Sequence, residues 1–365
     1  MLALLVVLSF DLLSGLEESQ LFGISLDSYV QEEEQPAVER RNSVNPVVLF
    51  PGLGGSQLEY KNKNKSKSSY DTLWIAFWRM IDGDLSYQRD LQVNYNGSTN
   101  MFSSQPDLDV RPVDFGGVGG VSYIVHGLTD KAIYYAILID NLKKAGYVVG
   151  QNIFGAPYDF RIMSPQQLSK NGVFEQVKKL IEKAYVMNGN KRVHLIGHSQ
   201  GCSFIHYFLT SYISSIAWTN QYIASMNLVS PNLGGAPMAL AFAAGPRKWA
   251  VPTLSAEQTH NIVKYFAGLY WMLPNENSFK SQTSNKEHNL EIQSDDVSAI
   301  VATVEIVSQK NDNNENNKET TSTVYPISVK NITWMFDTTG RENQAEAVRQ
   351  MQTIINEPPY GLNKL

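Results

Sequence analysis

The run Val193-His194-Leu195-Ile196 passes directly into Gly197-His198-Ser199-Gln200-Gly201, and Cys202, Ile205, Phe208, Leu209 and Tyr212 follow at helical spacing. Strand-forming residues, then small residues, then a period near 3.6 predict a strand, a sharp turn and a helix. A serine between two glycines at such a junction is the pattern of a nucleophile elbow, which holds the serine in a strained backbone conformation with its hydroxyl above the sheet. Glycine is needed on either side because a Cβ there would strike the neighbouring strand or helix. The segment offers Ser199 as a nucleophile for acyl chemistry. The plainer alternative is a glycine-rich turn carrying an ordinary serine.

Elsewhere strands and helices alternate. Val47-Val48-Leu49-Phe50 is a buried-strand run that ends at Pro51-Gly52-Leu53-Gly54-Gly55. A helix is predicted over Lys131 to Ala145, with Ile133, Ile137 and Leu142 on one face and Gly146 as its stop, followed by a strand at Tyr147-Val148-Val149. Another helix is predicted from Pro165 to Tyr185, carrying Phe174, Val177, Leu180 and Ile181 and closed by Asn188-Gly189-Asn190. Beyond the elbow helix, Tyr222 to Val229 reads as a strand stopped by Pro231. Such units imply an α/β fold, a parallel sheet with helices on both faces, whose ligands sit beyond the carboxyl ends of the strands. Both glycine turns fall at such ends. With 365 residues, 43% hydrophobic and 18% charged, the chain can bury the core of one large domain with insertions, or of two small ones.

Acyl chemistry also needs donors in place for the oxygen of the tetrahedral intermediate. The Gln200 N–H, at the start of the elbow helix, is one candidate, and the N–H of side-chain-free Gly54 is the other. Tight-turn geometry alone would equally account for the glycines at 52, 54 and 55. No metal or cofactor is implied, since Cys202 is the only cysteine and excludes both an internal disulfide and a cysteine-built metal site. Its place behind the elbow suits a small buried helix residue. A net charge of -5 with scattered basic residues gives no general field for nucleic acid.

Leu2 through Phe10 form an almost unbroken apolar stretch followed by Leu12, Leu13 and Ser14-Gly15. This has the length of a signal-peptide core and is too short for a bilayer, which needs about twenty residues. Residues 1–16 are expected to be a secretory signal, despite the lack of a basic lead; an N-terminal strand or helix is the alternative. Residues 17–44, with Glu32-Glu33-Glu34 before Pro36, are expected to be an acidic linker into a folded domain over 45–365. Sequons at Asn96 and Asn331 agree with export, to the outside or to a lysosomal or endomembrane lumen. The asparagine-rich run Asn311 to Asn317, inside the polar stretch 281–323, is expected to be a disordered insertion.

The segment from Asn45 to Glu59, which reads NPVVLFPGLGGSQLE, then Ala156-Pro157-Tyr158-Asp159-Phe160-Arg161, then the elbow, resemble the lecithin:cholesterol acyltransferase family, which includes a lysosomal phospholipase that acylates ceramide. Thr72-Leu73-Trp74, Tyr95-Asn96-Gly97-Ser98, Ser230 through Pro237 and Trp271-Met272-Leu273-Pro274 extend the likeness, which runs from about Asn45 to the end of the chain. It implies an α/β-hydrolase fold, a mostly parallel sheet flanked by helices with a cap. The implied activity moves a phospholipid acyl chain to a sterol, another lipid alcohol or water, without a cofactor and with contact to a membrane or lipoprotein surface. By the same resemblance Ser199 is the nucleophile, Gly54 and Gln200 form the oxyanion hole, and Leu53 and Trp74 lie at the lipid site. Core packing would also explain Trp74 beside Phe77, Trp78 and Met80. Residues 243–259 are the expected lid, which would exclude water during transfer.

The chain also departs from that family. The fold orders its triad as serine, acid, histidine, yet no aspartate lies between Ser199 and His288, and the first after Arg161 is Asp295. His206 is seven residues beyond Ser199, about 10 Å along the same helix. His260 falls in the expected cap, and His288 in a polar stretch with only Glu257, Glu276 and Glu287 ahead of it. His126 and His194 read as a loop and a strand residue. The acid and histidine are therefore expected on strands beyond Leu365, which would leave the chain as written with little acyl-transfer activity. Asp159 precedes the serine and is read with Arg161 as a structural pair. The lysine-rich segment Lys61 to Ser69 stands where the family has an apolar, disulfide-closed membrane loop; its four lysines would attract an anionic membrane at about 1 kcal/mol each, or form a solvated loop. A non-catalytic lipid-binding protein and a general lipase or esterase remain alternatives.

Overall fold

The computed structural model describes residues 44–355 apart from 67–68, 83, 126–131, 248–253, 276–299, 312–317 and 329–331. The expected signal at 1–16, the linker up to residue 43, His126, His288 and Asn331 lie outside the described residues. In chain order the strands are β1 (Val47–Phe50), β2 (Leu58–Asn62), β3 (Asp71–Trp74), β4 (Asn94–Asn96), β5 (Met101–Ser103), β6 (Leu108–Pro112), β7 (Ile153–Gly155), β8 (Val193–His198), β9 (Ile223–Val229), β10 (Ile300–Asn311) and β11 (Lys318–Ser328). Four of them, in the order β7-β1-β8-β9, make a sheet in which every pairing is parallel.

Alternation along β1 shows why this sheet is covered on both faces. Val48 and Phe50 join one core cluster, and Val47 and Leu49 join the other. A strand that is apolar at every position must be buried on both sides, as parallel sheets are. The first face is packed by the helix Val173–Met187 through Phe174, Val177, Leu180, Ile181 and Ala184, together with Phe204, Ile205 and Phe208 from the elbow side. On the second face lie Val121, Tyr135 and Ile139.

Several predicted elements are corrected. The expected helix over Lys131 to Ala145 runs only Ala136–Lys144, because Ile133 is taken up by a β-bridge to Tyr123. Its buried residues are Ala136 and Ile139, while Ile137 is 53% exposed. No strand forms at Tyr147-Val148-Val149; the sheet strand is β7, a few residues later, where Ile153 and Phe154 pair with Val47 and Val48. The single helix expected from Pro165 to Tyr185 is two, Pro165–Lys170 and Val173–Met187, broken at Gly172 with φ 72°. Left-handed backbone is open to glycine and cannot continue a helix.

Three more sheets were not foreseen. The antiparallel sheet β3-β2-β6 absorbs Lys61 and Asn62, so the lysine-rich segment begins as strand. A small β4–β5 hairpin carries Asn96 at an exposed turn. The flanks of the expected disordered insertion pair as the hairpin β10–β11, and residues 312–317 between them lie outside the described residues. The expected lid at 243–259 is framed by helices Pro237–Ala244 and Ala256–Val263, the second started by a Ser255–Gln258 capping box. Residues 248–253 within it lie outside the described residues.

Candidate functional site

The register of the central sheet builds the site. Phe50 pairs with Gly197, so the turn leaving β1 and the turn leaving β8 emerge side by side at the carboxyl edge. Ser199 has φ 52° and ψ -118°, a region that costs a non-glycine residue about 1–3 kcal/mol and persists only where surrounding contacts enforce it. Here those contacts are visible. Ser199 N–H donates to Val229 O on β9 at 2.9 Å, Cys202 N–H donates to Ser199 O at 3.0 Å, and the helix Gln200–Tyr207 starts at once.

Both flanking glycines are sterically required. A Cβ on Gly201 would stand 2.3 Å from Phe50 O, and one on Gly197 would stand 2.8 Å from Ile205 Cδ1 and 2.9 Å from Gly201 C. Gly52 is equally confined, with an ideal Cβ 3.0 Å from Ser199 Cβ. The glycine turn therefore lies directly against the serine.

Within that turn, Gly52 N–H donates to the Tyr134 hydroxyl at 2.8 Å and Gly55 N–H donates to Gly52 O at 3.0 Å. Gly54, at φ 76°, has its carbonyl held by the Trp74 indole N–H at 2.8 Å. Pairing of Leu58 with Trp74 across β2 and β3 carries the indole back over the turn. Trp74 is 4% exposed and edge-on to Phe160, so it braces the turn. Trp78, in contrast, is 71% exposed and does not belong to the core that its aromatic neighbours suggested. Leu53 is half-buried. Gln200 is fully buried; its side-chain amide donates to Gly268 O at 2.7 Å, and its backbone N–H sits in the first helical turn, where no intrahelical acceptor exists.

Arg161 and Asp159 form the expected structural pair, with Nη2 2.7 Å from Oδ2 and exposures of 0% and 8%. The remaining guanidinium donors reach Asp159 Oδ1, the carbonyls of Asp90 and Leu91, and Ser104 Oγ. Cys202 is buried and free, its thiol donating to Gly197 O at 3.2 Å; burial pushes its pKa up to about 11, so it is an inert thiol beside the elbow.

Among the described residues no histidine is hydrogen-bonded to the Ser199 hydroxyl. His194 meets Ser225 Oγ at 2.8 Å and His198 meets the Tyr134 hydroxyl at 2.8 Å, while His206 Nε2 and His260 Nδ1 are buried without partners. Nor does any group of three or more His, Cys, Asp or Glu among the described residues form a metal site. The contact of Tyr134 with His198 had no sequence signal, because the two stand 64 positions apart and only the fold brings them together.

Desolvation lowers the pKa of His198, His206 and His260. The unfolded imidazoles titrate near ~6.5, so stability that depends on their staying neutral is complete above that pH and is lost as pH falls toward the lowered folded values. The melting temperature is expected to be flat from about pH 8 to 7 and to drop below about pH 6. A profile still flat at about pH 5 would contradict this.

A parallel sheet with helices on both faces and a strained serine at the carboxyl end of an interior strand is a hydrolase-like α/β architecture. Residues 70–358 match the family described as lecithin:cholesterol acyltransferase, and the chain belongs to that family. Mouse phosphatidylcholine-sterol acyltransferase is 28% identical over 249 residues, covering 66% of this chain and 55% of the relative. Lecithin-cholesterol acyltransferase-like 1 of Arabidopsis thaliana is 28% identical over 66% of this chain and 61% of its own length. Bovine lysosomal phospholipase A and acyltransferase is 27% identical over 63% and 57%. The chain thus spans little more than half the length of the curated relatives it matches. Among solved structures, the Tle4-Tli4 complex matches at TM-score 0.34 and 14% identity, over 65% of this chain and 55% of that one, too distant to bear on the site.

Proposed function

We propose that this chain carries a serine-dependent lipid acyl-transfer site with Ser199 as its nucleophile. The observation that carries the reading is the strained Ser199 seated against the Gly52 turn. In this reading Ser199 Oγ attacks the carbonyl of a phospholipid ester and its proton passes to a base, while the new oxyanion is held by the N–H groups of Gln200 and Gly54. Collapse of the intermediate expels the protonated lysophospholipid alcohol, and a sterol, another lipid alcohol or water then takes the acyl group from Ser199. Leu53 serves the acyl chain directly, and Trp74, buried behind the turn, bounds the lipid site by holding the Gly54 carbonyl. Names of the relatives, a phosphatidylcholine-sterol acyltransferase and a lysosomal phospholipase A and acyltransferase, support this substrate class. Residues 243–259 act as the lid, and glycosylation at Asn96 and Asn331 accompanies export to the outside or to a lysosomal lumen. Among the described residues no helix is long and apolar enough to cross a membrane.

The second reading is a lipid-binding protein without turnover, since among the described residues no histidine is hydrogen-bonded to the Ser199 hydroxyl. One experiment decides. With the chain as written, a fluorophosphonate probe is expected to label Ser199 slowly and at that residue alone, and hydrolysis of p-nitrophenyl butyrate to lie about a thousandfold or more below that of a complete triad. Ser199→Ala should remove both. Absence of labelling favours the binding protein, and ester hydrolysis that survives Ser199→Ala ends the serine reading.

A further inference from the structure

Tyr134 touches both halves of the site without belonging to either. Its hydroxyl accepts from Gly52 N–H at 2.8 Å and shares a hydrogen bond of 2.8 Å with His198 Nδ1, the residue immediately before the nucleophile. The ring stands edge-on to the His198 imidazole, with centroids 5.6 Å apart, and fills the space that a side chain on Gly55 would need, since an ideal Cβ there would lie 2.7 Å from it. Burial raises the phenol pKa, so the group is a neutral hydroxyl at ordinary pH.

The turn needs such a tie. Strand pairing ends at Phe50 and Gly197, and beyond that point nothing in the sheet fixes how the peptide planes of residues 51–54 are rotated. Glycine supplies no side chain to hold them and has the widest choice of backbone angles. Three aromatic side chains do the holding, the Tyr158 hydroxyl donating to the carbonyl of Pro51. Tyr134 takes the N–H of Gly52 at one end, and Trp74 takes the carbonyl of Gly54 at the other. The amides of Leu53 and Gly54 lie between these last two anchors, on the stretch that borders Ser199.

We infer that Tyr134 is a positioning residue: its hydroxyl links Gly52 to His198, sets the distance between the glycine turn and the elbow, and thereby aims the turn's N–H groups at the oxygen that becomes negative. Donors of this kind work only when they already stand where charge develops. A displaced turn still lets substrate bind but stabilises the transition state less.

The inference rests on Ser199 being the nucleophile, and the experiment keeps the two apart. Tyr134→Phe retains the ring against Gly55 and removes the hydroxyl's bonds to Gly52 and His198, together with its side-chain contact to Tyr135. It is expected to slow phosphonylation of Ser199 by a fluorophosphonate about 10- to 100-fold, and to lower kcat for p-nitrophenyl butyrate in proportion with KM unchanged. Amide exchange at Gly52 should speed up by about tenfold or more, because its acceptor is gone. Since the link runs through His198, His198→Leu should also slow labelling, and the double variant should be no slower than the worse single one, the non-additivity of residues acting as a unit. Additive effects, a raised KM with unchanged kcat, or loss of labelling only in step with loss of fold would overturn the inference as mere packing. If the unaltered chain is not labelled at Ser199, the nucleophile reading is what has failed. Gly52 exchange then decides the inference alone: faster in Tyr134→Phe upholds the link, and unchanged refutes it.

Discussion

Replacing Gly201 by alanine is expected to destroy the elbow. The added methyl carbon would stand 2.3 Å from Phe50 O, 2.8 Å from Phe50 C and 2.8 Å from Pro51 O, all backbone atoms of an interior strand and of the turn that follows it. No rotamer change relieves a clash with main chain, so either the elbow helix must move off β1 or β1 must move. Overpacking of a close-packed core costs about 1–3 kcal/mol when side chains can yield, and more when they cannot. We expect about 3 kcal/mol or more here, against a total stability of about 5–15 kcal/mol, together with loss of fluorophosphonate labelling at Ser199. Gly245→Ala is the matched control: nothing lies within 4 Å of its Cβ position and its φ of -179° is extended backbone, so its urea midpoint should stay unchanged. A Gly201→Ala protein with wild-type midpoint and labelling would mean that the elbow is not packed against β1 as described.

Arg161→Met is expected to be the most damaging change away from the serine. The guanidinium is fully buried and its donors are spread over Asp159, two carbonyls of the helix Leu85–Leu91, and Ser104. Its backbone carbonyl also takes the N–H of Ala267 at 2.7 Å, so this one residue fastens the loop after β7 to three separate segments. Removing one partner of a buried ion pair typically costs about 3–5 kcal/mol, because the other charge is left desolvated and unpaired. Urea unfolding should register a loss of that size. Adding Asp159→Asn to Arg161→Met should recover part of it, since the stranded carboxylate is then gone. A loss under about 1 kcal/mol for the single variant would show that water reaches the pair.

How much of this was legible in the chain differs from element to element. β1, the elbow and β9 were readable because each pairs a run of apolar residues with an abrupt stop, and such contrasts survive in any context. Helix boundaries were less so. Ile137 and Ile139 are equally apolar, and only tertiary packing against Val47, Leu49 and Ile153 buries Ile139 while Ile137 stays exposed. The hairpin β10–β11 was hidden because its flanks are rich in polar residues, and strand pairing satisfies backbone groups whatever the side chains. Ser199, Gly54 and Gln200 could be named in advance as candidates, and the fold brings the glycine turn and the elbow side by side; the Asp159–Arg161 pair was legible too. Trp74 could be placed near the site, but its hydrogen bond to the Gly54 carbonyl could not.

Local chemistry alone determined that this chain carries a strand-turn-helix with serine at its tip, that a second glycine turn ends an earlier buried strand, and that the layers around them alternate. Those features depend on neighbours within a few residues, where steric limits on backbone angles and the burial of apolar side chains act directly. Which atoms stand together at the site was decided only by folding. Tyr134, Gly52 and His198 are separated by 82 and 64 residues along the chain, and no local propensity encodes a distance between groups so far apart. Sheet register does encode it, because a shift of one residue in β1 against β8 would turn every side chain of the strand to the opposite face and carry the glycine turn away from the serine.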